Sequence, residues 1–354
     1  MPETIFVAMS GGVDSSVAAL LLVEKGYRVV GVTLRLYDSC GSPAARGCCA
    51  LEDAVDARDV AKTLGIEHRI LEYQGPFKAQ VIAPFVRAYA EGRTPNPCIL
   101  CNERVKFGAL WEYATSQGAD LLATGHHARL IPRGTQVDLR RAEDGAKDQS
   151  YVLFPMTLDH RRRTLLPVGE MTKEDLRDKA REAGLPTADK RESQDICFVG
   201  EGSYADFVEK SLPAARPGVV RHMDGRILGR HEGIHRFTVG QRQGLGIPFN
   251  EPLYIVAIEP ETGEVVVGPR AALDTPRFLV EGWNWHIPDR ERPAIADVQV
   301  RYHQAPGEAW LVEAGEGLMI EWKDRPRQVT PGQAAVAYRG DTVVGGGWIR
   351  RGQG

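Results

Sequence analysis

Apolar residues open the chain in a short unbroken run, Ile5-Phe6-Val7-Ala8-Met9, with the length and texture of a buried parallel strand. A seven-residue stretch of small and polar character follows. Residues 17–25, rich in Ala and Leu and without breakers, then predict a helix that stops at Gly26. Residues 27–37 are β-branched and predict a second strand. From Leu51 the period turns helical: Leu51, Ala54, Val55, Val60, Ala61 and Leu64 share one face, and Gly65 closes it. Residues 67–72 give a weaker third strand, 78–92 a helix kinked at Pro84, 103–117 a further helix and 120–124 a further buried strand. Thr172-Lys173-Glu174-Asp175 resembles a capping box whose helix runs to Gly184, with Pro186 just beyond. Such strand–helix alternation predicts an α/β domain, a parallel sheet covered on both faces, with substrates at the carboxyl ends of its strands.

After about Tyr204 the pattern shortens. Segments 219–221, 236–239 and 254–258 are separated by turn residues, and Glu261-Thr262-Gly263-Glu264 before Val265 is a hairpin signature. From Phe278 onward the alternation continues through 296–302, 309–313, 318–322, 334–338 and 343–349, which predicts a small β-barrel. The expected division is 1–203 for the α/β domain, 204–275 for a central β-rich domain and 276–354 for the barrel.

Composition changes this picture little. With 44 basic and 47 acidic side chains in 354 residues the formal net charge is −3, so a polyanionic partner requires a local basic surface. No basic, then apolar, leader opens the chain and no apolar run is long enough to span a bilayer. The expectation is a cytoplasmic protein with no membrane partner. Six cysteines are too few for a disulfide scaffold and suit a reducing compartment where a few thiols do chemistry.

Two stretches carry that chemistry. Ser10-Gly11-Gly12-Val13-Asp14-Ser15-Ser16 lies between the first strand and the first helix, where backbone N–H groups and a helix N-terminus meet an anion. The glycines permit close approach to phosphate, the three serines add hydroxyl donors, and Asp14 either orients the turn or helps to hold a metal ion. No Lys follows the glycines, so the Walker P-loop pattern is excluded. In Asn96-Pro97-Cys98-Ile99-Leu100-Cys101-Asn102 the two prolines, Pro95 and Pro97, predict an extended stretch that presents Cys98 and Cys101 just ahead of a helix, where a thiol loses pKa. Cys197 stands far downstream in Ser193-Gln194-Asp195-Ile196-Cys197-Phe198. Taken alone, these thiols fit half a zinc site, a redox pair or small buried side chains equally well. Cys40, Cys48 and Cys49 read as structural or incidental.

The first stretch resembles the PP-loop of the ATP pyrophosphatases, with their adenine nucleotide alpha-hydrolase-like fold. The chain as a whole resembles the bacterial tRNA-specific 2-thiouridylases, the MnmA/TrmU family. SGGVDSS, GRTPNPCILCNERVKFG (92–108), ATGHHAR (123–129), KDQSYVLF (147–154), ESQDICFV (192–199), FTVGQRQGLG (237–246) and TPGQAAV (330–336) carry the likeness. The resemblance implies that Ala8, Met9, Ser10, Gly11, Gly12, Val13, Asp14 and Ser15 cradle ATP with Mg2+, and that Leu34 and Gly125 lie near the adenosine. It makes Cys101 the nucleophile and Cys197 the persulfide carrier, loaded by a sulfur-relay protein or cysteine desulfurase. The wobble uridine of the tRNAs for Lys, Glu and Gln would enter beside Asn96, Pro97 and Cys98, flipped from the anticodon stem-loop. His126, Lys147, Asp148, Gln149, Arg301, Tyr302 and Gln333 would contact the tRNA; DNA is not a partner. The chain departs from some members at Cys98, where they carry an aspartate assigned acid–base work. With cysteine there, Cys98, Cys101 and Cys197 can alternatively hold an iron–sulfur cluster with one open iron.

Overall fold

The structure, a computed structural model, describes residues 2–37, 51–191, 196–199, 203–212 and 216–352. Contacts divide the chain into two units: residues 1–81, 97–201 and 340–344 form the first, and residues 82–96, 202–339 and 345–354 the second.

In the first unit β1 (Thr4–Ala8), β2 (Arg28–Arg35), β3 (Glu67–Glu72), β4 (Leu121–Thr124) and β7 (Thr164–Leu165) form a parallel sheet in the order β3-β2-β1-β4-β7. Helix α1 (Val13–Glu24) follows β1 and helix α2 (Leu51–Leu64) precedes β3. Ile5, Val7, Met9, Val17, Ala57, Val60, Ala123 and Leu176 form one buried cluster, so the apolar run that opens the chain is the centre of this core. Fully burying an Ile or Val contributes about 1.5–3 kcal/mol each.

Residues 128–141 and 74–90 depart from the expected pattern. Strands β5 (Ala128–Arg133) and β6 (Gln136–Arg141) form an antiparallel hairpin. Pro132 lowers the strand signal but is tolerated here because β5 lies at a sheet edge. The predicted helix at 78–92 is instead Gln74–Phe77, a π-helical run Lys78–Ile82 and Ala83–Ala90. Pro84, at the start of the last piece, has no N–H for the α-ladder, and the wider turn ahead of it absorbs the mismatch.

In the second unit β8 (Gly218–His222), β9 (Ile227–His231), β10 (Tyr254–Glu259) and β11 (Glu264–Gly268) form a small sheet in the order β10-β11-β8-β9. The hairpin at 261–264 joins β10 to β11 as predicted. Residues 236–239 are not a strand: a 3-10 turn, Ile234–Arg236, leads into Phe237, which fills the core of this sheet from a loop. Strands β12 (Arg277–Trp285), β13 (Ile295–Gln299), β14 (Gly307–Ala314), β15 (Gly317–Trp322), β16 (Ala334–Arg339) and β17 (Thr342–Ile349) follow in the order β12-β15-β14-β13-β16-β17, and β17 returns to β12. The result is a closed six-stranded antiparallel barrel. Along β14, Gly307, Ala309 and Leu311 are covered while Glu308, Trp310 and Val312 face outward, the two-residue period the sequence shows. Among the described residues no helix is long and apolar enough to cross a membrane.

Candidate active site

Strands β1 and β4 are neighbours although the chain visits β2 and β3 between them, so the gap at their carboxyl ends is the switch point of the sheet. Both flanking loops enter it. After β1, Gly11 has φ +69°, and a Cβ there would stand 2.2 Å from the carbonyl oxygen of Asp53 at the start of α2. Gly12 caps α1 with φ −95° and ψ 160° and no side-chain cap bond, so no side chain caps the first turn of this twelve-residue helix. After β4, Gly125 lies so close that an added Cβ would be 2.5 Å from the Ser15 nitrogen. The serine hydroxyls brace the loop from within. Ser15 Oγ and Ser16 Oγ donate to the Gly12 carbonyl at 3.1 and 2.9 Å, and Ser15 Oγ accepts from the Ser10 nitrogen at 3.1 Å. The donors left to face an anion are chiefly backbone N–H groups, as the helix terminus dictates. Leu34 is half-buried near the end of β2, and its neighbour Thr33 Oγ1 donates to the Met9 carbonyl at 2.8 Å.

Long-range contacts that the sequence did not announce fix this loop. Asp14 Oδ1 accepts from His127 Nε2 at 3.2 Å and from Lys173 Nζ at 2.6 Å. Burial alone would raise the Asp14 pKa; His127 and Lys173 outweigh it and hold the carboxyl below its usual range. Asp14 therefore orients the loop through two cationic-side partners and is not presented as an open metal ligand. Lys190 Nζ donates to the Gly11 carbonyl at 3.0 Å, to Asp53 Oδ1 at 2.5 Å and to Asp56 Oδ2. Thr187 Oγ1 reaches Ser16 Oγ at 3.0 Å.

The cysteine segment differs from expectation. Pro97–Leu100 is already helical and passes into a π-helical run, Cys101–Leu110, and an α-helix, Trp111–Ser116. Pro97 does not hold the chain extended because at a first helical position it has no N–H to lose and its fixed φ suits the helix. Cys98 is exposed and Cys101 half-buried, on a helix whose inner face is Ile99, Asn102, Val105 and Leu110. Asn102 Nδ2 donates to the Val152 carbonyl at 3.0 Å and anchors that face. Cys197 is half-buried, beside Phe198, whose ring meets Phe77 edge-on at 5.8 Å. Among the described residues no three His, Cys, Asp or Glu side chains are placed to hold a metal ion. Cys40, Cys48 and Cys49, and residues 192–195, lie outside the described residues.

The residues expected to touch tRNA are placed unequally. His126 is buried, with Nδ1 2.7 Å from Thr124 Oγ1 and Nε2 3.1 Å from Lys106 Nζ. An ammonium only donates, so Nε2 accepts and Nδ1–H donates to the threonine. Burial first, and then the Lys106 charge, push its pKa well below the usual value, and an RNA contact through either nitrogen must displace a partner. Asp148 is 6% exposed and accepts from Arg141, the Ala142 and Ser150 nitrogens and Ser150 Oγ at 2.8–3.1 Å. That carboxylate organises the loop around it and is not available to an RNA. Gln149 is likewise engaged with the His127 backbone, in both directions at 2.8 Å, whereas Lys147 is half-buried. Asp148→Asn should therefore destabilise the fold by about 2–4 kcal/mol, because a buried carboxylate's charged partner loses its mate. Chemical denaturation measures this; an unchanged midpoint with weakened tRNA binding would reverse the assignment.

In the second unit Arg301 is exposed and Tyr302 half-buried, in a turn closed by the Gln304 nitrogen on the Arg301 carbonyl at 3.1 Å. His303 adopts φ 59° there and its ring lies 3.9 Å from that of Tyr302, so a cation and two rings are offered together. Gln333 Nε2 donates to the Thr94 carbonyl at 2.9 Å, and the Thr94 nitrogen donates to Pro331 at 2.9 Å. Its side chain holds the irregular segment leading to half-buried Asn96.

A parallel sheet with a glycine loop and an open helix N-terminus at its switch point defines a PP-loop nucleotide-binding protein. Residues 3–201 match the domain family described as tRNA methyl transferase HUP domain, 205–269 the tRNA methyl transferase PRC-barrel domain and 275–349 the Aminomethyltransferase beta-barrel domain. The tRNA-specific 2-thiouridylase MnmA of Rhodospirillum centenum is 48% identical over 98% of this chain and 91% of its own length. That of Rickettsia conorii is 44% identical over 99% and 96%. A solved 4-thiouridine synthetase–RNA complex with bound ATP covers 60% of this chain and 50% of its own at 17% identity and a TM-score of 0.37, too slight a likeness to argue from. The chain belongs to the tRNA-specific 2-thiouridylase MnmA family, whose members are PP-loop, ATP-using tRNA sulfurtransferases.

Proposed function

We propose that this chain is a cytoplasmic enzyme that replaces O2 of the wobble uridine with sulfur in the tRNAs for Lys, Glu and Gln. The observation that carries the reading is an anion-receiving helix start, α1, in the same unit as two thiols at the head of another helix and a third at Cys197. The start of α1 receives the polyphosphate of ATP, with residues 8–15, Leu34 and Gly125 around the nucleotide. The uridine, admitted beside Asn96, Pro97 and Cys98, attacks the α-phosphorus through O2, loses its N3 proton and releases pyrophosphate. The terminal sulfur of a Cys197 persulfide then adds to C2 and AMP departs. The Cys101 thiolate attacks the Cys197 sulfur and frees the sulfur on C2, which reclaims a proton at N3. Two thiols are thereby oxidised to a disulfide while the sulfane sulfur is reduced, and a thiol reductant restores both cysteines.

The persulfide route is favoured over a cluster because no three His, Cys, Asp or Glu side chains among the described residues are grouped to hold a metal ion. Asp14, engaged with Lys173 and His127, is not presented as a ligand for Mg2+. A sulfur-relay protein or cysteine desulfurase loads Cys197. Domains at 1–203, 204–275 and 276–354 divide the labour, with Arg301 and Tyr302 on the RNA-facing barrel. Unmodified tRNA incubated with ATP, a sulfide source and the protein should yield 2-thiouridine on nucleoside mass analysis, with AMP and pyrophosphate in equal amounts. ATP cleavage without any oxygen-to-sulfur exchange in the tRNA would sink the reading.

A further inference from the structure

Two residue pairs alternate along the turn that opens the cysteine helix. Ile99 and Asn102 are 0% and 2% exposed and form its inner side, and Asn102 is tied to the Val152 carbonyl. Cys98 and Cys101 have the same three-residue offset and so share another side. The backbone stays helical across the join between the α-helical and π-helical pieces, with Leu100 at φ −62° and ψ −38°. Three residues of helix separate the two Cα atoms by about 5 Å, inside the span of about 4.4–6.8 Å that a disulfide bridges. The thiols differ in access. Cys98 is exposed between buried Pro97 and buried Ile99, whereas Cys101 is half-buried. Cys197 is half-buried too, and the next residue, Phe198, is packed against Phe77. A disulfide between Cys101 and Cys197 is therefore shielded at both sulfurs, and thiol exchange with an outside reductant depends on access.

We propose that Cys98 is the resolving thiol of this enzyme: it takes the disulfide over from Cys197 and carries it to the surface. The Cys98 thiolate attacks Cys101 Sγ, the bond between Cys101 and Cys197 breaks, and Cys197 leaves as a thiolate. One disulfide is exchanged for another with no net oxidation. Cys197 is then ready to be loaded with the next sulfane sulfur, and the disulfide between Cys98 and Cys101 stands where a dithiol reductant reaches it. That dithiol supplies two electrons and two protons, becomes a disulfide itself and returns both thiols. The step follows the sulfur transfer proposed above and rests on it, so its test must separate the two.

The test is one turnover without reductant. The full chain is loaded with inorganic polysulfide, desalted, and mixed with ATP and unmodified tRNA; remaining thiols are alkylated and the peptides mapped by mass. The expected product in the wild type is an ATP-dependent disulfide between Cys98 and Cys101, with Cys197 alkylated, a readout that needs no variant to fold. Cys98→Ser should instead accumulate the disulfide between Cys101 and Cys197, and its repeated turnover with a protein dithiol should slow by about tenfold or more. Cys98→Asp should behave as Cys98→Ser does; recovery of repeated turnover by the aspartate would assign the position acid–base work and overturn the proposal. A wild type that thiolates tRNA yet holds only the disulfide between Cys101 and Cys197, or that bridges Cys98 to Cys101 equally without ATP, would overturn it as well. Thiolated tRNA with no disulfide among the three cysteines would instead remove the persulfide sequence itself, and the resolving step with it.

Discussion

Cys197→Ser is expected to lower tRNA thiolation by about a thousandfold or more while pyrophosphate release from ATP in the presence of tRNA persists. Adenylation needs the loop after β1 and the uridine oxygen; it needs no sulfur. In the proposed sequence the thiol acts afterwards, as the atom that carries the sulfane sulfur. Cys197 is half-buried and its neighbour Phe198 is the residue seated in the core, so serine at 197 removes nucleophilicity without opening a cavity. Cys101→Ser should behave differently: the first attack on C2 proceeds and the tRNA is left attached to Cys197 through a disulfide. Gel mobility under non-reducing conditions, alongside nucleoside mass analysis, reads both outcomes. Thiolation retained in Cys197→Ser would remove the persulfide route.

Gly11→Ala should abolish nucleotide binding, weakening ATP by about a hundredfold or more, and cost about 3 kcal/mol or more of stability. The two effects share one cause. At φ +69° an L side chain is disfavoured, and the added Cβ would enter the Asp53 carbonyl, which belongs to the backbone of α2 and cannot swing away. Relief requires the loop to lift from α2, which breaks the Lys190 bond to the Gly11 carbonyl and dissolves the anion cradle. Thermal melting with and without ATP measures both terms. A variant with wild-type stability and undiminished ATP-dependent stabilisation would show that the cradle does not depend on this backbone.

What could be read from the chain alone was what neighbouring residues decide. The first strand, the glycine loop, the first helix and the barrel strands follow from apolar period and turn residues, and they stand near where the pattern put them, although α1 begins at Val13, inside the loop, and not at residue 17. Pro97 was misread because a proline ahead of a helix and a proline inside its first turn look alike until the cap is seen. Residues 236–239 carry apolar spacing that suits a strand, yet Phe237 reaches the core from a turn. Ser15 and Ser16 read as donors to a ligand but close on Gly12, because the nearest acceptor to a first-turn hydroxyl is the carbonyl behind it. Asp148 is named from the resemblance as a tRNA contact, yet four donors from residues 141–150 make it a buried hub. Lys173 and Lys190 were invisible as site residues because a charge says nothing of a partner more than a hundred positions away.

The side-chain bonds that tie Asp14 and Gly11 to the later part of the first unit span long stretches of chain: 113 positions from Asp14 to His127, 159 to Lys173, and 179 from Gly11 to Lys190. Contacts of such separation are slow to form, because each closes a long stretch of flexible chain. The cradle is complete only once residues 127, 173 and 190 have docked on it. A nucleotide that binds only the assembled cradle reports on completion of folding, and its presence during synthesis or refolding draws the population toward finished molecules by mass action. The loop reached nine residues into the chain is not organised until the chain has been made nearly two hundred residues further.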